Sequence, residues 1–343
     1  MTWQEAPKSV TADHMAAAPN LSIVVPCFNE AEVLPETLRR LEDLIARLRS
    51  SGRISAASRI FFVDDGSRDR TWPLIRQAVD AGNPVVGVKL SRNRGHQIAL
   101  IAGLDASDGD AVVSIDADLQ DDVSAIEPML AKFEQGADIV YGVRRSRDGD
   151  SSFKRGSAQA FYRLLGFLGV ETVPDHADFR LMSRRAVKAL AEYREVNLYL
   201  RGMVPLLGFP SETVLYDRQE RFAGQSKYPL RRMIGLAANA VTSFSIMPLR
   251  LISVLGFAVS LATIVLGLWI FLAALARAQL VPGWASTVLP IYFLGGVQLI
   301  GIGIIGEYIG KLYLESKRRP RYFIDQIHRR TPGASEPRMT PER

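Results

Sequence analysis

Cysteine is almost missing from this chain: Cys27 is the one thiol in 343 residues. That excludes an internal disulfide framework and fits a reducing compartment, with Cys27 expected to pack at a strand end. Residues 1–20, which include Lys8 and His14, hold no apolar run of the ~7–15 residues a secretory leader needs. They read as a flexible lead that stays in the cytoplasm. Internal repeats and low-complexity tracts are also lacking up to the polar, proline-containing stretch after Thr331, so solenoid and fibrous designs are excluded. His96 and His176 are not spaced with other ligands as a zinc site requires. Charge is absent from one place in particular: Leu251 to Ala276 carries no Asp, Glu, Lys or Arg.

That uncharged run exceeds the ~20 apolar residues needed to cross hydrocarbon, and a second run extends from about Val288 to Ile309. The connector around Pro282, Gly283 and Trp284 has Arg277 as its one basic residue. Both outer flanks are basic, with Arg231, Arg232 and Arg250 before the pair and Lys317, Arg318, Arg319 and Arg321 after it. The positive-inside bias therefore predicts a multi-pass protein of a plasma or inner membrane, with the large N-terminal domain and both termini cytoplasmic. The formal net charge of +6 could signal nucleic acid, a membrane surface or a phosphorylated substrate; much of the excess lies beside these spans, which favours the membrane. The expected divisions are a lead at 1–20, a catalytic domain at 21–226, an interfacial amphipathic region at 227–248, a two-span hairpin at 249–310 and a basic cytoplasmic tail at 311–343.

With 48% hydrophobic residues over 343 positions the chain can bury a full core. Short apolar runs at Leu21 to Pro26, Ile60 to Val63, Val85 to Leu90, Ala111 to Ile115 and Asp138 to Tyr141 alternate with helical stretches such as Ala31 to Leu48, Gln97 to Ala106 and Val123 to Gln135. This pattern predicts an α/β domain with a mostly parallel sheet flanked by helices. In such sheets ligands bind beyond the carboxyl ends of the strands. Those ends carry Asn29 and Glu30, then Asp64 and Asp65, then Ser91 to Gly95 with Asn93 inside, then Asp116 to Gln120.

Asp116 and Asp118 put two carboxylates one residue apart, a set suited to a hard divalent cation that shares its remaining sites with substrate phosphates. Asp64 and Asp65 form a turn that can accept hydrogen bonds from a ribose or base edge, or cap the next helix. Arg180 can pair with Asp178 or touch a sugar or phosphate. Arg221 and Lys227 form either a structured phosphate loop, with Gly224 and Ser226, or a basic face toward headgroups.

Taken in order, VPCFNE (25–30), VDDGSRD (63–69), SRNRG (91–95), SIDADLQD (114–121), DFRLMSR (178–184) and ERFAGQSKYPL (220–230) resemble the polyprenyl-phosphate glycosyltransferases. The likeness is to the bactoprenyl glucosyltransferase branch of glycosyltransferase family 2, related to dolichyl-phosphate mannose synthase, and it covers residues 21 to about 322. It implies a glycosyltransferase A-type fold and inverting transfer from a nucleotide sugar, with UDP-glucose favoured, to polyprenyl (undecaprenyl) phosphate. It places Pro26, Glu30 and Asp65 around the nucleoside, Asp116, Asp118 and Gln120 at Mg²⁺ or Mn²⁺, and Arg221 with Lys227 near the phosphates. Arg144 and Arg155 look like acceptor-phosphate residues. Asp122 stands where many relatives have proline. The resemblance also implies a homo-oligomer and allows a tetramer. Other sugars, N-acetylglucosamine, galactose or mannose, remain alternatives. A processive polysaccharide synthase fits less well, since its Gln-x-x-Arg-Trp signature needs a tryptophan and none lies between Trp72 and Trp269. A non-catalytic membrane scaffold would need neither metal pair nor crevice.

Overall fold

In the computed structural model the described residues are 18–145, 176–196, 198–217, 245, 247–276 and 283–330. Eight strands form one sheet: β1 (Leu21–Cys27), β2 (Arg59–Asp64), β3 (Val85–Leu90), β4 (Ala111–Ser114), β5 (Ile139–Arg144), β6 (His176–Ser183), β7 (Ser211–Tyr216) and β8 (Ile324–Arg329), in the order β7-β5-β6-β4-β1-β2-β3-β8. Four adjacent strands, β4, β1, β2 and β3, run parallel, as the alternation of apolar runs and helices predicts. β6 enters antiparallel between β4 and β5, while β7 runs parallel to β5. The result is the mostly parallel, mixed sheet of a glycosyltransferase A-type fold.

All seven residues of β1 are buried, because a central strand covered on both faces can be apolar throughout. Pro26 is tolerated there since β4 pairs with β1 only through Val24; beyond it no ladder bond to β4 is lost. Helices α1 (Leu34–Ser50), α2 (Thr71–Asp80) and α4 (Ile126–Glu134) cover one face, and α3 (His96–Ala106), α5 (Arg184–Glu192) and α6 (Leu200–Leu206) cover the other. In α1 the stripe Leu34, Leu41, Leu44, Ile45 and Leu48 is buried, each side chain contributing about 1.5–3 kcal/mol. α3 packs so close to the sheet that a side chain at Gly103 would overlap Val24 and Val63. Ser183 caps α5 through Ala186 N–H at 3.2 Å, and its own hydroxyl donates to Asp138 at 2.7 Å.

Beyond β7 come two long helices, α7 (Met247–Ala276) and α8 (Trp284–Ser316). At 1.5 Å per residue they measure about 45 and 50 Å, more than the ~30 Å of a hydrocarbon layer. Their apolar side chains face outward, among them Phe257, Ile264, Trp269, Phe293, Leu299 and Ile302, so this surface is suited to lipid and not to water. Phe293–Ser316 meets the length and composition of a membrane span on its own. The predicted amphipathic stretch at 227–247 lies almost wholly outside the described residues.

The chain after the spans differs from a simple polar tail. α8 runs on to Ser316, past the expected boundary at 310, and residues 324–329 then return to the sheet as β8, antiparallel to β3. Side chains fasten this return: Lys89 pairs with Asp325 at 3.0 Å, His328 with Asp80 at 2.7 Å, and the Tyr322 hydroxyl donates to Asp105 at 2.6 Å.

Candidate active site

The loops after β1 and β2 are stitched together at the carboxyl edge of the sheet. Asn29, in a left-handed conformation at φ 55°, receives Arg68 N–H at 2.9 Å on its side chain and donates its own N–H to Ser67 at 3.0 Å. Glu30 N–H donates to Thr71 Oγ1 at 2.9 Å. Pro26 is buried inside β1, one strand position short of this surface. Asp64 is fully buried, accepts Ser67 N–H at 3.2 Å, and keeps Oδ2 without a hydrogen-bond partner among the described residues.

Asp65 has a role that its motif did not reveal. Its two oxygens accept the N–H groups of Arg94 (2.7 Å) and Gly95 (2.8 Å), tying the loop after β3 onto the end of β2. That loop runs so close to Gly66 (φ 69°) that a Cβ there would lie 2.6 Å from Asn93 N. Asn93 itself is exposed over the crevice. The same loop is held from beyond the spans, where Arg94 Nε donates to Arg321 O at 2.6 Å and Ser91 N–H to Phe323 O at 3.0 Å.

Past β4, Asp116, Asp118 and Gln120 are each partly exposed, and Ala117 and Leu119 between them are buried. The loop is fixed by Thr37 Oγ1 donating to Ala117 O at 2.8 Å and by Leu119 at φ 57°. Asp122 caps the short 3₁₀ turn Val123–Ala125 by accepting Ser124 N–H at 2.9 Å, which explains how the loop does without proline. Burial pushes the Asp116 carboxyl up to about 6; the His96 ring pulls the other way, and the carboxylates of Asp121, Asp178 and Asp118 add to the rise. Such crowding of negative charge is what a hard cation relieves. Among the described residues no three His, Cys, Asp or Glu side chains could hold an ion unaided. The donor set thus fits an ion held by one or two carboxylates and completed by phosphate oxygens.

At the start of α3, just after the β3 loop, His96 Nε2 lies 3.4 Å from Asp116 and 3.5 Å from Asp178. Arg180 is fully buried and pairs with Asp178 at 2.8 Å. Of the two readings open to Arg180, the structure has the pairing: its guanidinium is too deep to touch a ligand and instead supports Asp178. Burial alone would raise the Asp178 carboxyl, but the His96 hydrogen bond and the charges of Arg180 and Arg201 outweigh it and hold it well below the carboxylate range. Arg144, at the end of β5, donates to the Tyr216 hydroxyl at 3.1 Å and to Asp121 at 3.3 Å, and Tyr216 donates to Asp121 at 2.5 Å. Arg155, Arg221 and Lys227 lie outside the described residues. Cys27 is buried, and burial foremost raises its thiol pKa, so it packs and does not react.

Sequence reasoning missed His96, Arg201 and Tyr216. His96 follows SRNRG directly, but a lone histidine has no spacing to mark it. Arg201 and Tyr216 reach the site only through the antiparallel insertion of β6 and the pairing of β7.

The profile of "Glycosyl transferase family 2" matches residues 22–191. The "Uncharacterized glycosyltransferase YkoT" of Bacillus subtilis (strain 168) is 52% identical over 309 residues, 90% of this chain and 91% of the relative. The "SfII prophage-derived bactoprenol glucosyl transferase" of Shigella flexneri is 39% identical over 316 residues, 91% of this chain and 99% of the relative. Among solved structures, the mannosyl-3-phosphoglycerate synthase of Rubrobacter xylanophilus aligns with a TM-score of 0.43 at 19% identity, over 65% of this chain and 72% of that one.

Proposed function

The chain belongs to glycosyl transferase family 2, and from that premise we propose that it transfers a hexose, glucose from UDP-glucose first among the candidates, onto polyprenyl (undecaprenyl) phosphate at the cytoplasmic face of a membrane. The Shigella relative, named for bactoprenol and glucose, supports both acceptor and sugar. The observation that carries the reading is the grouping at one sheet edge. Loops after β1, β2 and β3 are bonded to one another at this edge, His96 after the β3 loop reaches Asp116 and Asp178, and Arg144 at the end of β5 and Arg201 on α6 gather beyond them.

Asp116 and Asp118, with Gln120 beside them, hold Mg²⁺ or Mn²⁺, which when bound supplies positive charge against the diphosphate. Asp65 sets the loop that faces the nucleoside, with Glu30 and Asn93 around it, and the buried Asp64 holds the turn beneath through Ser67 N–H. Arg221 and Lys227 neutralise the departing nucleotide diphosphate, and Arg144 and Arg155 orient the acceptor phosphate. A phosphate oxygen attacks the anomeric carbon as the bond to the nucleotide diphosphate breaks, with inversion. The attacking oxygen is already anionic, so no side chain has to take a proton, and catalysis rests on alignment and charge stabilisation.

Purified full-length protein assayed with undecaprenyl phosphate and a panel of nucleotide sugars should yield one lipid-linked phosphosugar, and EDTA should stop the reaction. No product with any sugar, or growth of a polymer, would refute the assignment.

The same reading makes α7 and α8 a membrane hairpin with both flanks cytoplasmic. Pairing of β8 with β3 supports it independently of charge: strands on either side of the hairpin share one sheet, so the chain must leave the bilayer on the side it entered. Cysteines introduced at Gly283 and at Asp325 should show opposite accessibility to an impermeant label in sealed vesicles; equal labelling would contradict the topology.

A further inference from the structure

Asp178 gathers more positive charge than it can neutralise. Arg180 pairs with it at 2.8 Å from a fully buried position, which already balances the carboxylate. Arg201 adds Nε at 3.3 Å from Oδ1 and Nη2 at 3.4 Å from Oδ2, and His96 adds its ring nitrogen at 3.5 Å. The Arg201 side chain is 42% exposed, and an ion pair that open to solvent contributes little to stability. Arg201 also lies near enough to Arg180 and to Arg144 to be repelled by both. The Asp178 carboxylate outweighs that repulsion and keeps Arg201 charged, and because Arg180 already balances Asp178 the cluster has a positive charge left to meet an anion.

Strand order says which anion. Asp178 sits where β6 passes the end of β4, anchored by the Ser114 hydroxyl donating to Asp178 O at 2.5 Å. The loops after β1 and β2 lie on the far side of β4 from this point, and the loop after β3 reaches it through His96. Arg144 ends β5 on the same side as Arg201, one strand from β6.

We propose that Arg201 is the partner of Arg144 in the acceptor subsite, its guanidinium donating to the phosphate monoester of the polyprenyl lipid while Asp178, braced by Arg180, fixes its orientation. A planar fork of donors suits a phosphate monoester, and Arg201 brings the charge that Asp178, already paired with Arg180, leaves unbalanced. This rests on the reading of the chain as a polyprenyl-phosphate glycosyltransferase.

The test is steady-state kinetics of the full-length protein in detergent, comparing wild type with Arg201→Ala and Arg201→Lys. Arg201→Ala should raise KM for undecaprenyl phosphate about 10- to 100-fold, the scale of one charge-assisted hydrogen bond. KM for the nucleotide sugar should not move, and Arg201→Lys should recover part of the loss. An unchanged lipid KM, or a rise in KM for the nucleotide sugar instead, overturns the proposal. A second measurement needs no variant: in wild-type protein, farnesyl phosphate should slow phenylglyoxal modification of Arg201, read by mass spectrometry, whereas UDP should not. Equal modification with and without farnesyl phosphate, or protection by UDP alone, also overturns it. Failure of the parent reading looks different, since wild type would then transfer no sugar to polyprenyl phosphate at all.

Discussion

Asp118→Asn should lower turnover by about 10²–10³-fold, the scale of removing one preorganised charge-stabilising group, and leave a folded, membrane-inserted protein. The substitution keeps the side-chain oxygen that accepts Gln120 N–H at 3.2 Å, so the turn at Leu119 can persist. What it removes is one negative charge from a site whose carboxylate crowding calls for a cation. The defect should ease as Mn²⁺ or Mg²⁺ is raised, because the remaining carboxylate and the donor phosphates still offer ligands. Near-normal turnover at ordinary metal concentration would take Asp118 out of the ion site. Single-turnover assays with metal titration, beside a thermal melt, make the measurement.

Asp178→Asn is expected to act mainly on stability. Arg180 would be left as a buried cation without its counter-charge, at a cost of about 3–5 kcal/mol for a broken buried pair. The pH dependence has a defined sign. The folded pKa of Asp178 lies below its unfolded value, so this contribution is present above about pH 4 and is lost as pH falls toward the depressed folded value. In the fraction that remains folded, single-turnover transfer should persist, since a phosphate acceptor gives up no proton. If the variant binds both substrates normally and still loses about 10²–10⁴-fold in the chemical step, Asp178 is a general base and the base-free mechanism fails. A defect confined to lipid affinity would accord with its bracing of Arg201.

The central strands were legible because strands buried on both faces are near-continuously apolar, as β1 and β4 are apart from Ser22 and Ser114. The polar residues at their ends stood out against those runs, which is why the loops after β1 to β4 could be placed at one edge. The far side of the site was hidden for the opposite reason. Asp65 works on backbone N–H groups some thirty positions along the chain, and Arg201 reaches Asp178 only once β6 has inserted antiparallel beside β4. Neither contact leaves a spacing in the sequence. β8 is exposed along nearly all its length, so burial imposes no two-residue alternation on IDQIHR. Its two isoleucines fall three apart, and it reads as part of the basic tail expected at 311–343.

Order of synthesis gives that strand a further meaning. Every other strand of the sheet is translated before α7 and α8, and β8 after them. While the ribosome works through the two long helices, β3 is an open edge, the kind of surface that invites pairing with foreign strands. The carbonyls of Arg321 and Phe323, which hold the loop after β3, arrive in the same late stretch. The fixed form of the loop after β3 therefore waits on translation of the helices, and a nascent chain released before them carries Asp116 and Asp118 without it.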